Sequence, residues 1–415
     1  MSDSQVLLPG STIGIFGGGQ LGRLTAMAAR TMGYRIHVLD PDPGCPARFV
    51  VDQCVEAAWD DAREAVRLAR GCDVITLEIE QIALESMNAA GSYAPVRPSE
   101  SLLGVIQDRI EQKTWLERSG FPVGAWRAVR SQDELREAVK ALGGRCFCKS
   151  ATGGYDGRGQ GKVGFRKPDS FEAANPPKQS LDGAPSLGAP DLGGTQVSEA
   201  EIEGAWKALG EGPGVVEQAI ELEREISVMV ARSPRGEVKV YPAAWNYHEN
   251  QILAWSVLPA PLEPEMAKAA RELAEGIANS FLLEGILAVE MFVAKDGRLL
   301  VNELAPRPHN SYHASERASV TSQFEQLVRA VCNLPLGSTE TVQPCAIANL
   351  LGEVWIGPEG RREPHFDRAL SVPGVRLHLY EKLRPRKGRK MGHLSAVGST
   401  PEEAVELVLK AQSLL

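Results

Sequence analysis

Gly285-Ile286-Leu287-Ala288-Val289-Glu290-Met291-Phe292-Val293-Ala294, then Arg298-Leu299-Leu300-Val301-Asn302-Glu303-Leu304-Ala305-Pro306-Arg307, is the stretch that decides how this chain is read. Two apolar runs joined by Lys295-Asp296-Gly297 predict a β-hairpin. Each run carries one carboxylate, Glu290 and Glu303, and Asn302 stands beside the second. A charge inside a buried strand is costly unless it is paired or holds a cation. Two carboxylates and a carboxamide on one hairpin form a hard-oxygen set suited to Mg²⁺ carrying nucleotide phosphates. A pair of solvent-facing strand acids is the competing reading, and the rest of the chain weighs against it.

Upstream, Cys146–Lys149 reads as a strand running into Lys149-Ser150-Ala151-Thr152-Gly153-Gly154-Tyr155-Asp156-Gly157-Arg158-Gly159-Gln160-Gly161. A lysine at a strand end reaches a phosphate as a point charge. The glycines that follow let backbone amides fold over a polyphosphate. The order is not that of a P-loop, so a different nucleotide fold is implied. Val216-Glu217-Gln218-Ala219-Ile220 reads as an edge strand. Glu217 and the backbone amides before Ile220 would grip an adenine edge there, with Glu225 on ribose hydroxyls. A solvated acidic loop through Glu221, Glu223 and Glu225 is the alternative.

Beyond the hairpin, Arg307-Pro308-His309-Asn310-Ser311 places donors where a metal-bound anion would react. Near the N-terminus, Gly17-Gly18-Gly19-Gln20-Leu21-Gly22 fits G-x-G-x-x-G, with Asp40 ending the next strand as a ribose-binding acid would. That motif offers a helix N-terminus to any phosphate or small anion, so a nicotinamide cofactor stays open beside a merely structural turn. The basic run Lys382, Arg384, Arg386, Lys387, Arg389, Lys390, then His393, fits a solvated face or a nucleic-acid patch, but in an acidic protein it reads better as a pocket for a phosphorylated metabolite.

The 415 residues suffice for two or three domains, and a net charge of −8 argues against a general nucleic-acid or anionic-membrane binder. Seven cysteines without zinc-ligand spacing suggest a reduced, cytoplasmic protein. No apolar run has membrane-spanning length, and Met1-Ser2-Asp3-Ser4 is not the start of a signal peptide. Strands at Thr12–Phe16, Ile36–Leu39 and Val74–Ile79 alternate with helices, predicting a parallel sheet covered on both faces. A helix is expected over Val105–Ser119, and capping boxes open helices at Ser131, Ser198 and Thr400. Val215–Ile220, Ile226–Ala231, Val238–Tyr241 and Ile252–Leu258 read as one largely antiparallel sheet. The expected domains are a Rossmann-like unit over 1–104, a nucleotide-binding unit over 105–335 and a small C-terminal domain over 336–415. Within the second lie a lid at about 145–222 and a Pro/Gly/Ser-rich insertion at about 167–196.

Strand lysine, glycine-rich lid, adenine-gripping strand and Glu…Asn-Glu hairpin, in that order, resemble the ATP-grasp superfamily. Gly14–Pro43, Gly153–Gln160, Asn302–Ser311 and Gly388–His393 resemble its branch that carboxylates 5-aminoimidazole ribonucleotide in de novo purine biosynthesis. The resemblance implies an α/β and α+β ATP-grasp fold with a pre-ATP-grasp N-terminal domain. It implies an enzyme, an ATP-dependent carbon–nitrogen ligase, using ATP, Mg²⁺ and bicarbonate as a cytoplasmic homodimer. Arg109 and Lys149 would bind ATP phosphates under a lid of Gly154, Tyr155, Asp156, Gly157, Arg158, Gly159 and Gln160. Glu217, Gln218, Ala219, Ile220, Glu225 and His248 would hold the nucleoside. Glu290 and Glu303 would ligate Mg²⁺, supported by Asn302. Tyr155, Asp156, Arg158, Arg307, His309, Asn310 and Lys382 would line the bicarbonate and ribonucleotide pocket, with Gly19, Gln20, Leu21, Glu78, Arg389 and Lys390 on the ribonucleotide. A formate-dependent glycinamide ribonucleotide transformylase and a nicotinamide oxidoreductase remain as rivals.

Overall fold

The computed structural model describes residues 5–153, 159–165, 197–249, 251–357 and 360–415. The expectations for Gly154, Tyr155, Asp156, Gly157, Arg158 and the 167–196 insertion lie outside them. The chain divides into two compact units, one of Met1–Gly104, Ile226–Met291 and Glu303–Leu415, the other of Val105–Glu225 and Phe292–Asn302.

The first unit starts with β1 (Thr12–Phe16), α1 (Gln20–Thr31), β2 (Arg35–Asp40), β3 (Gln53–Glu56), α2 (Ala62–Ala69), β4 (Val74–Leu77) and α3 (Leu84–Gly91). The four strands form a parallel sheet in the order β3-β2-β1-β4. Every residue of β1 and β4 is buried, as parallel strands between helices must be. β3 escaped the sequence reading because Val55 is its one buried side chain, too few to set a pattern.

The helix expected over Val105–Ser119 is two, α4 (Glu100–Gln107) and α5 (Arg109–Arg118). Asp108 breaks it. Its carboxylate accepts the amides of Ile110 and Glu111 at 2.7 and 3.3 Å, so it caps α5 from an extended backbone.

In the second unit β5 (Trp126–Val129), α6 (Gln132–Ala141), β6 (Cys146–Ser150), β7 (Gln160–Val163), α7 (Glu199–Ala208) and β8 (Gly214–Gln218) build an antiparallel sheet in the order β5-β8-β6-β7. Leu135, Val139, Ile202 and Ala205 of the two helices pack on Cys146, Cys148 and Val216. Ser198 and Glu201 form the reciprocal capping box of α7. At α6, Glu134 instead reaches past Ser131 to the amide of Arg130 at 2.6 Å, and at the last helix Glu403 likewise takes the amide of Ser399. β8 is therefore an interior strand, not an edge. β5, too short to stand out in the sequence, covers it, and β8 does not share a sheet with the strands that follow, contrary to the single antiparallel sheet expected over 215–258.

Those strands make a separate sheet: β9 (Leu222–Arg232), β10 (Val238–Val240), β11 (Ala244–Glu249), β12 (Ile252–Leu258), β13 (Gly285–Ala294) and β14 (Leu299–Ala305), with α8 (Pro264–Ser280) between β12 and β13. After α9 (Ser315–Ala318) and α10 (Gln323–Val331) come β15 (Cys345–Leu351), a two-stranded ribbon β16 (Ile356–Gly357) and β17 (Gly360–Arg361), α11 (Phe366–Leu370), β18 (Val375–Leu379), β19 (Lys390–Val397) and α12 (Pro401–Ser413). The sheet order is β14-β13-β9-β11-β12-β15-β19-β18, with β10 beside β9. β15 pairs with β12 from Trp255↔Ala348 to Leu258↔Cys345, so the C-terminal strands extend this sheet rather than starting their own. Ala404, Val405, Val408 and Ala411 of α12 pack in the cluster of Ala348, Leu394 and Ala396.

Candidate active site

The described site residues divide between the two units. In the second unit, strand alternation places Lys149 and Glu217 on the same face of paired strands β6 and β8, in the registers Lys149↔Val215 and Phe147↔Glu217. Lys149 Nζ lies 2.6 Å from Glu217 Oε2 and donates to Asn302 Oδ1 at 3.1 Å. The other carboxylate oxygen meets Lys113 Nζ at 2.5 Å. Burial opposes the ionisation of Glu217, but Lys113 and Lys149 outweigh it and bring its pKa down to about 2. Lys113 went unassigned in the sequence, where it looks like any polar helix residue. Arg109, the first residue of α5, joins this group: its amide donates to Ala151 O at 2.8 Å and Nη1 to Ser150 O at 3.1 Å, directly after Lys149.

The amides of Gln218 and Ala219 donate to the carbonyls of Ala125 and Arg145, so they hold the strand end and do not face a ligand. Ile220 and Glu225 are half-buried beyond it. Gly159 has φ of +65°, and its carbonyl accepts the Ser150 amide at 2.8 Å, which brings Gln160 back to Lys149 as a strand partner. His248 lies in the first unit, at the register shift where β11 bulges against β12.

Also in the first unit, Glu290 on β13 and Glu303 on β14 are half-buried on neighbouring strands. Glu290 Oε1 meets His309 Nε2 at 3.0 Å. The Ser311 amide donates to His309 Nδ1, with the Ser311 hydroxyl 2.8 Å from the same nitrogen. The tautomer that fits carries its proton on Nε2 and donates it to Glu290. Gln323 fixes the histidine backbone by taking its amide at 2.8 Å and donating to its carbonyl at 2.9 Å. Arg307 Nε lies 2.6 Å from Glu80 Oε1. Burial disfavours the guanidinium charge, but Glu80, Glu78 and Glu303 outweigh it and raise the pKa of Arg307.

Asn310 points elsewhere than expected. It is buried, and its Oδ1 hydrogen-bonds with His313 Nε2 at 3.2 Å. His313 begins a stack absent from the sequence reading: its ring lies 4.5 Å from that of His393, which lies 4.4 Å from that of His378. Tyr380 Oη hydrogen-bonds with His393 Nδ1 at 2.7 Å. Lys382 Nζ sits over the Tyr380 ring at 5.7 Å. Arg389 donates to Arg384 O, and Lys390, on β19, is buried.

The glycine turn before α1 is filled from inside. Glu78, just past β4, accepts the amides of Gly19 and Gly22 with its two oxygens, and Asp40 takes the Gly18 amide at 2.7 Å. A Cβ on Gly17 would stand 2.4 Å from Glu78 Cγ, and one on Gly19 2.5 Å from its Oε1, so glycine is required for the carboxylate to enter. The terminus that a dinucleotide pyrophosphate would occupy is thus already filled by a side-chain carboxyl. Leu21 is a core side chain beside Leu24, Phe324 and Tyr380, and Gln20 is half-buried at the turn.

Burial pushes the Glu78 carboxyl up to about 7, against the pull of its two amide bonds. Below the ordinary value of 4.5 both folded and unfolded chains hold this proton. As pH rises to about 7 only the unfolded chain releases it, so the group lowers stability by on the order of 3 kcal/mol across that window. Glu78→Gln should therefore gain stability relative to the unsubstituted protein between pH 4.5 and 7.5 in denaturant titrations. A difference that stays constant with pH would contradict the buried acid.

Three matches cover most of the chain. Residues 10–107 match the ribonucleotide synthetase preATP-grasp domain, 114–176 and 192–324 the ATP-grasp domain, and 345–407 the phosphoribosylaminoimidazole carboxylase C-terminal domain. A strand lysine bound to a strand glutamate, together with the Glu…Asn-Glu hairpin, sits in a fold of the ATP-grasp class of ATP-dependent ligases.

N5-carboxyaminoimidazole ribonucleotide synthase of Brucella melitensis is 39% identical over 395 residues, covering 95% of this chain and 98% of the relative. The enzyme of that name from Bacillus subtilis is 37% identical, covering 97% and 95%. A solved ADP complex of N5-carboxyaminoimidazole ribonucleotide synthetase superposes with a TM-score of 0.84 at 37% identity over 99% of this chain and 98% of the other. The Aspergillus clavatus synthase in complex with ADP and 5-aminoimidazole ribonucleotide gives 0.81 at 27% identity over 97% and 98%. The chain belongs to the N5-carboxyaminoimidazole ribonucleotide synthase family. Membership sets aside the glycinamide ribonucleotide and nicotinamide readings, and the carboxylate lodged at the α1 terminus gives the physical reason for the second.

Proposed function

We propose that this protein uses ATP and bicarbonate to carboxylate the exocyclic amine of 5-aminoimidazole ribonucleotide, giving the N5-carboxyamino product, ADP and phosphate. The observation that carries the reading is the likeness, over nearly the whole chain, to a synthase solved with ADP and this ribonucleotide. Arg109 and Lys149 bind the ATP phosphates, and the Gly154–Gln160 segment closes over them. Lys113 and Asn302 hold the Glu217–Lys149 pair in place, so Lys149 meets the nucleotide with its rotamer already set. The nucleoside lies against Glu217, Ile220, Glu225 and His248.

Glu290 and Glu303, two half-buried carboxylates on adjacent strands with Asn302 beside the second, suit a hard divalent cation and would hold Mg²⁺. The ion would offset charge on the transferred phosphoryl group. Arg307, oriented by Glu80, and His309, oriented by Ser311 and Gln323, hold bicarbonate for in-line attack on the γ-phosphorus. ADP leaves and carboxyphosphate forms. The ribonucleotide amine then attacks the carboxyl carbon and displaces phosphate, or attacks CO₂ after carboxyphosphate has split into CO₂ and phosphate; in either case the departing phosphate takes up the amine proton. Water must be excluded throughout, because it competes for the same electrophile. Gly19–Leu21, Lys382, Arg389 and Lys390 bind the ribonucleotide, joined by Tyr155, Asp156 and Arg158. Glu78 sets the turn that presents Gly19, and Asn310 acts through His313. A cytoplasmic homodimer completes the reading, in keeping with seven free thiols.

ADP release should depend on 5-aminoimidazole ribonucleotide and bicarbonate together, with labelled carbon appearing in the product. The same assay with formate and glycinamide ribonucleotide should stay at background. ADP release indifferent to 5-aminoimidazole ribonucleotide would overturn the reading.

A further inference from the structure

Arg23 occupies the first turn of α1, where a cation opposes the helix dipole. Its side chain is only 11% exposed. The guanidinium makes a two-pronged contact with Glu381, Nη2 to Oε1 at 2.9 Å and Nη1 to Oε2 at 3.1 Å, and Nη1 also donates to Pro46 O at 3.0 Å. This fork against a carboxylate fixes orientation as well as distance. Glu381 has φ of +57°, a left-handed conformation that a residue with a long side chain adopts only when its surroundings impose it. The preceding residue is pinned as well: Tyr380 is fully buried in a cluster with Leu21 and Leu24, which flank Arg23 in sequence. The residue after the constrained one is Lys382, whose amine lies over the Tyr380 ring.

We propose that Arg23 is a positioning residue for the ribonucleotide site: by clamping Glu381 it imposes the left-handed turn that sets the position of Lys382. The proposal rests on the ribonucleotide-binding role given above to Lys382 and to the Gly19–Leu21 turn. One guanidinium then ties together both chain segments that take this substrate, the start of α1 and the Lys382–Lys390 segment. Half of Glu381 is in solvent, so the ion pair adds little to global stability; its effect is geometric.

The test uses the full-length enzyme with Arg23→Met, Glu381→Gln and the double variant. Each single variant should raise KM for 5-aminoimidazole ribonucleotide by about tenfold, with KM for ATP and kcat changed by no more than about twofold. The double variant should be no worse than either single one, because both remove the same clamp. Amide hydrogen exchange over residues 381–390 should quicken in all three. An unchanged KM for the ribonucleotide, multiplying effects in the double variant, an equal rise in KM for ATP, or unaltered exchange over 381–390 would each overturn the proposal. A wild-type enzyme that ignored the ribonucleotide would refute the reaction assigned above, and the exchange measurement would still decide whether the clamp exists.

Discussion

Glu290→Gln and Glu303→Gln should each cut ribonucleotide-dependent ATP turnover by about a hundredfold to a thousandfold while the protein stays folded. Both acids lie half-buried in strands whose other residues are mostly apolar core, where a charge is tolerated only if something offsets it. Glutamine keeps the shape and one acceptor oxygen but removes the charge that a divalent cation needs. His309 can still donate to an amide oxygen at position 290, so orientation within the strand survives and the loss falls on metal binding. Circular dichroism should match the parent, and raising the Mg²⁺ concentration should recover part of the activity. Near-normal turnover in either variant at ordinary Mg²⁺ would remove these carboxylates from the metal site.

What the sequence displayed and what it hid divide along chain distance. The β13–β14 hairpin was legible because two apolar runs flank Lys295-Asp296-Gly297, and the turn closes as such a sequence dictates: the Gly297 amide donates to Ala294 O at φ +83°. Ser198 with Glu201 was legible for the same reason, since both ends of the contact lie within one helical turn. Asp108 was not legible as a break because its neighbours Gln107 and Arg109 are good helix formers that suit one continuous helix. A single side-chain oxygen accepting two amides decides otherwise.

In the site, residue types were easier to find than their partners. Lys149 and Glu217 were each visible, but not that Lys113 completes their cluster, because only the β6–β8 register and the packing of α5 bring the three together. The glycine motif advertised an anion seat, and the group that fills it is the Glu78 carboxyl, contributed by the end of β4. The stacked imidazoles of His313, His378 and His393 come from three places in the chain joined by the β18–β19 pairing, His378↔His393, and by the turn after β14. A lone histidine in sequence carries no sign of such a stack.

The remaining large effect separates the two half-reactions. Arg307→Ala and His309→Ala should bind MgATP with near-parental affinity in calorimetry yet fix labelled bicarbonate into product at about a hundredth of the rate or less. Neither residue belongs to the Lys113–Glu217–Lys149–Asn302 cluster that is assigned to the nucleotide. Both are held rigidly, Arg307 by Glu80 and His309 by Glu290, Ser311 and the Gln323 clamp, which fixes the orientation each presents to the reacting carboxylate. Removing Arg307 also strands Glu80, so Arg307→Ala combined with Glu80→Gln serves as a control that restores local charge balance. If that combination recovered carboxylation, the loss in Arg307→Ala would come from the orphaned carboxylate, and Arg307 would not touch bicarbonate. If instead the single variants lost MgATP binding, or carboxylated at the parental rate, the carboxylation pocket would have to lie away from the segment that follows β14. The expected pattern, intact nucleotide binding with carboxylation lost in all three proteins, follows only if this segment handles the carboxylate while the strand lysine handles the phosphates.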